Sequence, residues 1–147
     1  MSQRPAPLQR PRDPNGGVRV LVVDDSEILR ILAGRILAKL GCTVEVARDG
    51  EEALAMLATT SFDLVLMDCH MPGADGREVT RAIRERERLS GTDTRVPIVA
   101  LTGSIQVGER SSCLEAGMDD YASKPFTFEQ LKELVEHWTA AKANTET

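Results

Sequence analysis

The apolar positions of this chain change period as they run along it. VRVLVV (18–23), DLVLM (63–67) and VPIVAL (96–101) are short, almost unbroken apolar runs, the pattern of parallel strands covered on both faces. CTVEVA (42–47) alternates instead, which predicts a strand at a sheet edge with one wetter face, and DDYAS (119–123) is a fifth, weaker strand. Between these runs the period lengthens to that of helices. Ile28, Leu32, Ile36 and Leu40 fall on one helical face, and Phe128, Leu131, Leu134, Val135 and Trp138 on another. Helix punctuation agrees: Asp49 with Glu52, Asp75 with Glu78 and Thr127 with Gln130 have capping-box spacing, while Gly41 and Gly117 stand where helices should stop. Five β-α units joined by right-handed crossovers predict an α/β fold, a doubly wound parallel sheet of five strands in the order 2-1-3-4-5. That order puts the alternating second strand at an edge.

Length and composition narrow the picture further. A chain of 147 residues fits one domain with a core able to fold alone. No apolar stretch approaches the roughly 20 residues of a membrane span, so we expect a soluble, cytoplasmic protein with no membrane partner. Residues 1–17 hold four of the seven prolines and no apolar block, and they read as a tail or linker. The folded domain is expected over 18–141, with a short polar end at 142–147. The tail carries three Arg against one Asp, so the rest is more acidic than the net charge of −5 shows, which weighs against nucleic acid as a direct partner. Cys42, Cys69 and Cys113 are widely spaced and odd in number; they read as reduced thiols used as small core residues.

In doubly wound sheets, chemistry gathers at the carboxyl ends of the strands. Here the first strand ends in Asp24-Asp25, the third in Asp68, the fourth in Thr102, and the fifth runs at once into Lys124-Pro125. Each has a plain alternative alone: Asp25 or Ser26 as a helix cap, Lys124 as a solvated loop residue. Together they suit phosphoryl transfer to a carboxylate, with Asp68 as the nucleophile. Crowded carboxylates repel one another, and a hard cation that prefers carboxylate oxygen relieves this, so Asp24 and Asp25 are expected to hold Mg²⁺. Lys124 and Thr102 would stabilise the phosphoryl oxygens, and Gly103 leaves room for the donor.

VLVVDDSE, LVLMDCHMPGADG, IVALTGS and DDYASKPF resemble the signature segments of the response-regulator receiver domain of two-component signalling, over roughly residues 18–140. The resemblance implies a flavodoxin-like fold and Asp68 as phosphoacceptor. It implies Mg²⁺ on Asp24, Asp25 and Asp68 with the backbone carbonyl of His70, phosphoryl contacts from Thr102 and Lys124, and a cis Lys124-Pro125 peptide. Tyr121, three residues before Lys124, matches the aromatic switch position, so phosphorylation would repack the face of helix 4, strand 5 and helix 5, from about Ile105 to Ala116 and around Phe126. Implied partners are a histidine kinase or histidine phosphotransfer protein and a downstream protein target, the chain being a monomer or a phosphorylation-dependent dimer. MDCHMP with ALTGS looks most like receivers of hybrid histidine kinases and their phosphorelays.

Some residues depart from the common pattern. Ala74 stands where a larger apolar residue often precedes Asp-Gly, and the segment 85–97 is long. The RERER run at 84–88 reads as a solvated helix end, and neither His70 nor His137 is read as a phosphoacceptor. An aspartyl-phosphate phosphatase would want a second acid where His70 stands, and neither GxxxxGK[ST] nor GxGxxG occurs, so a signalling module is expected rather than an enzyme. The remaining alternative is a phosphorylation-independent scaffold. Met1 favours a stand-alone regulator; the Pro-rich tail and MDCHMP permit a receiver of a larger hybrid kinase.

Overall fold

In the computed structural model, residues 17–71, 73–91, 95–103 and 107–139 are described; the tail (1–16) and the polar end (from 140) lie outside them. Five strands, β1 (Arg19–Val23), β2 (Thr43–Ala47), β3 (Leu64–Asp68), β4 (Ile98–Thr102) and β5 (Asp120–Ser123), form one parallel sheet in the order β2-β1-β3-β4-β5. The helices α1 (Glu27–Lys39), α2 (Gly50–Thr59), α3 (Gly76–Ser90), α4 (Val107–Ala116) and α5 (Phe128–Trp138) connect them. A separate two-residue hairpin pairs His70–Met71 with Ala74–Asp75 between β3 and α3. It does not join the sheet, and the apolar pattern held no sign of it.

The unbroken apolar runs are explained by burial on both faces. Along β1, Val20 and Val22 face one way and pack with Leu64, Leu66, Val99 and Leu101 against Ala33, Ile36 and Leu37 of α1 and Leu131 and Val135 of α5. Leu21 and Val23 face the other way and pack with Val65, Met67, Ile98 and Ala100 against Ala53 of α2, Val79 and Ile83 of α3 and Cys113 of α4. The alternating strand β2 is at the edge, as expected, with Val46 exposed and Glu45 paired to Arg19 at 2.9 Å.

Two details of the helix reading are corrected. In α1 the buried face is Ala33, Ile36 and Leu37 with Leu29 and Leu40 beside them, whereas Ile28 is 77% and Leu32 38% exposed. The helix carries more apolar residues than one face can bury, and the sheet selects the stripe one residue along. In α5, Phe128 is exposed while Leu131 and Val135 are buried. Of the three capping boxes only Thr127 with Gln130 is reciprocal: Thr127 Oγ1 accepts from the Gln130 amide at 3.2 Å, and Gln130 Oε1 accepts from the Thr127 amide at 2.9 Å. Asp49 caps α2, but Glu52 turns back to the Arg48 amide; Asp75 caps α3 through the Arg77 amide rather than that of Glu78. Thr127→Ala is expected to cost about 1 kcal/mol of stability, read from the urea midpoint, because it orphans a first-turn amide.

Helix ends behave as the glycines suggest, with Gly41 and Gly117 at φ of +86° and +109°. The charge run at the end of α3 does not. Arg84 is largely buried: its guanidinium donates to the Gly117 carbonyl at 2.9 Å and to Asp119 at 2.8 Å, and Glu87 accepts from the Val96 amide at 2.8 Å. These groups tie α3 to the entrances of β4 and β5, which a local charge pattern does not reveal.

Candidate functional site

The sheet delivers its polar residues to one edge because each strand ends within a residue of the same level. Asp68 is the last residue of β3 and Thr102 the last of β4; Asp24 follows β1 and Lys124 follows β5. Backbone bonds hold those ends together: the Asp24 amide donates to the Ala47 carbonyl at 3.1 Å and the Lys124 amide to the Thr102 carbonyl at 2.8 Å. The Lys124-Pro125 peptide is cis. Ser26 caps α1, its hydroxyl accepting from the Leu29 amide, so Asp25 is not spent on capping and stands exposed.

Asp24 and Asp68 are each only 1% exposed, an arrangement that isolated carboxylates would not tolerate. Lys124 Nζ compensates, lying 3.1 Å from Asp68 Oδ1 and 3.4 Å from Asp24 Oδ2. Asp68 Oδ1 also accepts from the His70 amide at 3.1 Å, and Asp24 Oδ1 from the Ser26 amide at 2.9 Å. The compensation is incomplete: burial, reinforced by the charge of Asp24, pushes the Asp68 carboxyl up to about 6 against the pull of the His70 amide and Lys124. Burial also works against the Lys124 ammonium, but its bond to Asp68 and the charges of Asp24 and Asp68 outweigh this and hold its pKa above the ordinary lysine value.

Carboxylate oxygens of Asp24, Asp25 and Asp68 lie within 4.8 Å of one another. Three hard oxygen donors with a negative excess are the donor set Mg²⁺ selects, and the exposed Asp25 leaves one side open to water and ligand. The residues therefore fit such a cation.

Thr102 is brought to the same edge, but its hydroxyl donates to Glu109 Oε1 of α4 at 2.6 Å. The same Glu109 oxygen lies 3.2 Å from His70 Nε2. The hydrogen bond from Thr102 is the main cause that holds the Glu109 carboxyl below its ordinary value. Tyr121 is half-buried on β5, with the Arg110 guanidinium 4.6 Å above its ring. Arg77 joins α3 to α4, donating to Asp75 at 2.6 Å and to Ser112 at 2.7 Å. Glu109, Arg110 and Arg77 were invisible to motif reading, since their partners are set by how α4 lies on the sheet. Phe126, expected on the readable face, is instead 5% exposed and packs with Leu101, Ala122 and Leu131; Ile105 lies outside the described residues. Cys69 and Cys113 are buried free thiols, their sulfurs 3.4 Å apart. A cleft of about 390 Å³ between α2 and α3, lined by Leu57, Phe62, Ile83 and Val96, lies at the opposite end of the sheet and holds none of the converging acids.

Comparison with known proteins adds to this geometry. The family described as response regulator receiver domain matches residues 20–136. The chain is 43% identical over 121 residues to the sensor histidine kinase GacS of Pseudomonas protegens, spanning 82% of this chain and 13% of that protein. It is 45% identical over 114 residues to the response regulator MprA of Mycobacterium tuberculosis, spanning 78% of this chain and 47% of that one. Among solved structures, the receiver domain of the sensor histidine kinase PA1611 of Pseudomonas aeruginosa, with a magnesium ion coordinated in its active-site cleft, superposes with a TM-score of 0.75 at 35% identity, covering 84% of this chain and 98% of that one. The chemotaxis protein CheY4 of Vibrio cholerae gives a TM-score of 0.75 at 31% identity over 82% of this chain and 98% of that one. The chain thus spans less than half the length of the two curated relatives and nearly all of the isolated receiver structures. No helix among the described residues is long and apolar enough to cross a membrane.

Proposed function

This chain belongs to the response regulator receiver domain family, and on that premise we propose that it is the phosphoacceptor of a two-component phosphorelay, with Asp68 as the residue phosphorylated. The observation that carries the proposal is the meeting of the buried Asp68 and Asp24 with Lys124 Nζ, beside the open carboxylate of Asp25. Asp24, Asp25 and Asp68, with the His70 backbone carbonyl, would hold Mg²⁺. When bound, that ion supplies positive charge against the carboxylates and the phosphoryl oxygens.

The chain's own groups divide the remaining work. An Asp68 carboxylate oxygen attacks the phosphorus of a phosphohistidine; the new P–O bond forms as the P–N bond breaks, and the electron pair leaves with the imidazole nitrogen. Lys124 favours the ionised form of Asp68 through its bond at 3.1 Å and stands ready to contact the phosphoryl oxygens. The Thr102 hydroxyl then turns to the phosphoryl group, and the population shifts toward a state with Tyr121 rotated inward and α4, β5 and α5 repacked for a downstream protein. Receivers act as signalling modules, and we place this one in the cytoplasm as a stand-alone regulator or as the receiver of a hybrid kinase, a monomer or a phosphorylation-dependent dimer. The folded domain is assigned to 18–141.

The phosphohistidine donor would dock on α1. Ile28, Ile31 and Leu32 of α1 are exposed at helical spacing, directly after the acidic turn of Asp24 and Asp25. A histidine-bearing helix laid on this face would bring its phosphoryl group to the mouth of the site. Ile28→Ala is expected to slow transfer from a phosphorylated histidine phosphotransfer domain about tenfold, with phosphorylation by acetyl phosphate unchanged. Equal slowing with both donors would remove α1 as the docking face.

The proposal as a whole is tested by intact mass after incubation with acetyl phosphate and Mg²⁺. A gain of one phosphoryl group that a chelator prevents supports it. No gain from acetyl phosphate or from a phosphorylated histidine phosphotransfer domain overturns it in favour of a phosphorylation-independent scaffold.

A further inference from the structure

Two adjacent side chains in the first turn of α4 hold both groups the proposed switch moves. Glu109 accepts the Thr102 hydroxyl proton at 2.6 Å, and Arg110 lies over the Tyr121 ring at 4.6 Å. Thr102 is 2% exposed and the Glu109 side chain 20% exposed, so this charge-assisted bond is largely shielded from water. His70, the second residue after Asp68, touches the same Glu109 oxygen at 3.2 Å, so one carboxylate spans both loops that border the phosphorylation site. One turn further along, Arg77 anchors Ser112 at 2.7 Å and keeps α4 in register with α3.

A threonine hydroxyl has a single proton to donate. While it goes to Glu109 it cannot go to a phosphoryl oxygen on Asp68. We infer that Glu109 is a positioning residue that latches the Thr102 hydroxyl to α4, so that phosphorylation of Asp68 proceeds against this latch and releases the first turn of α4. This deepens the phosphoacceptor reading and rests on it. The latch gives α4 a direct mechanical link to Asp68: the phosphoryl group competes with a carboxylate for one proton, and the loser is a residue of the helix that must repack. By reciprocity, any partner that draws Glu109 away from Thr102 favours phosphorylation by the factor by which phosphorylation favours that partner. A mere surface ion pair between Glu109 and the exposed His70 would carry none of these consequences, because exposed pairs contribute little and leave Thr102 untouched.

Two measurements on the full chain test the latch. The first is the side-chain rotamer of Thr102, from its three-bond carbonyl-to-methyl and nitrogen-to-methyl couplings. The wild type should show one rotamer, Glu109→Ala an average of several, and Glu109→Gln, which keeps an oxygen acceptor without its charge, a value between them. Unchanged couplings in both variants overturn the latch, whatever phosphorylation does. The second is the rate of phosphoryl gain from acetyl phosphate and Mg²⁺ by intact mass. Glu109→Ala should raise it about tenfold, the scale of one charge-assisted hydrogen bond lost from the resting state alone. In a Thr102→Ala background the same substitution should change nothing, and an equal gain in both backgrounds overturns the latch. If the wild type itself takes no phosphoryl group, it is the phosphoacceptor reading that fails, and the couplings alone decide the latch.

Discussion

Asp68→Asn is expected to abolish the phosphoryl gain in intact mass while leaving the protein folded and more stable than wild type in the absence of divalent cation. The amide has the size of the carboxylate but no nucleophilic oxygen anion, so loss of phosphorylation should be complete with acetyl phosphate and with a phosphohistidine donor. The stability gain follows from electrostatics. Wild type buries Asp68 beside Asp24 with one ammonium to serve both, and burial raises the Asp68 carboxyl from an ordinary 3.8 to about 6. Between those values the folded state binds more protons than the unfolded state, so this group's contribution is fully present below about pH 4 and is lost as pH rises through about 6. The asparagine side chain cannot ionise, so the urea midpoints of variant and wild type, compared in chelator, should separate as pH rises from about 5 to about 7.5. The variant should be ahead by about 1 to 3 kcal/mol at the upper end. A separation that fails to grow with pH would mean that the Asp68 carboxylate is well accommodated without a cation, against the reading of a strained acidic cluster.

Gly76→Ala is expected to damage both fold and site. Gly76 opens α3, and its amide donates to the Cys69 carbonyl at 3.1 Å, which brings the helix start against the end of β3. A Cβ there would run into the Asp68 carbonyl oxygen and stand 3.0 Å from Met67 Cγ. The main obstacle is backbone, not the tip of a flexible side chain, so relief requires α3 and the end of β3 to part. Overpacking of this kind costs on the order of 1 to 3 kcal/mol, and loss of the Gly76–Cys69 bond adds to it. Phosphorylation should slow by at least about tenfold, because the displaced segment carries Asp68, the proposed phosphoacceptor. Gly34 supplies the contrast: it sits inside α1 with nothing within 4 Å of where an added methyl group would stand, and Gly34→Ala should stabilise by about 0.5 to 1 kcal/mol. Urea unfolding of the two variants separates them by sign. Equal, small effects would mean that α3 does not press on the end of β3.

Much of this was legible in the order of residues. The three central strands announced themselves because a parallel strand between two helical layers is apolar on both sides, and β2 announced its edge position by alternating. Since every strand of such a sheet runs the same way, its last residue is automatically at the carboxyl edge, and Asp24, Asp25, Asp68, Thr102 and Lys124 could be assembled from chain order alone. Arg84 shows where that logic stops. As part of RERER it has the look of a solvated charge, yet it is held by Gly117 and Asp119, more than thirty residues away, through a meeting of α3 with the segment between α4 and β5 that no local pattern encodes.

What the sequence determined by itself was therefore the set of elements, their order in the sheet and the collection of acids, hydroxyl and ammonium at one edge. These follow from properties of short range, the period of apolar residues and the direction of each strand. What only the tertiary structure decided was how each helix is turned about its own axis. That rotation buried Ala33 and Leu37 and left Ile28 and Leu32 outside, and it set Glu109 and Arg110 on Thr102 and Tyr121, while the packing of α5 sank Phe126 into the core. A helix with apolar residues on more than one stripe has several rotations compatible with its own period. The choice among them belongs to the packed sheet and the neighbouring helices, where burial of the whole layer outweighs the preference of any one segment.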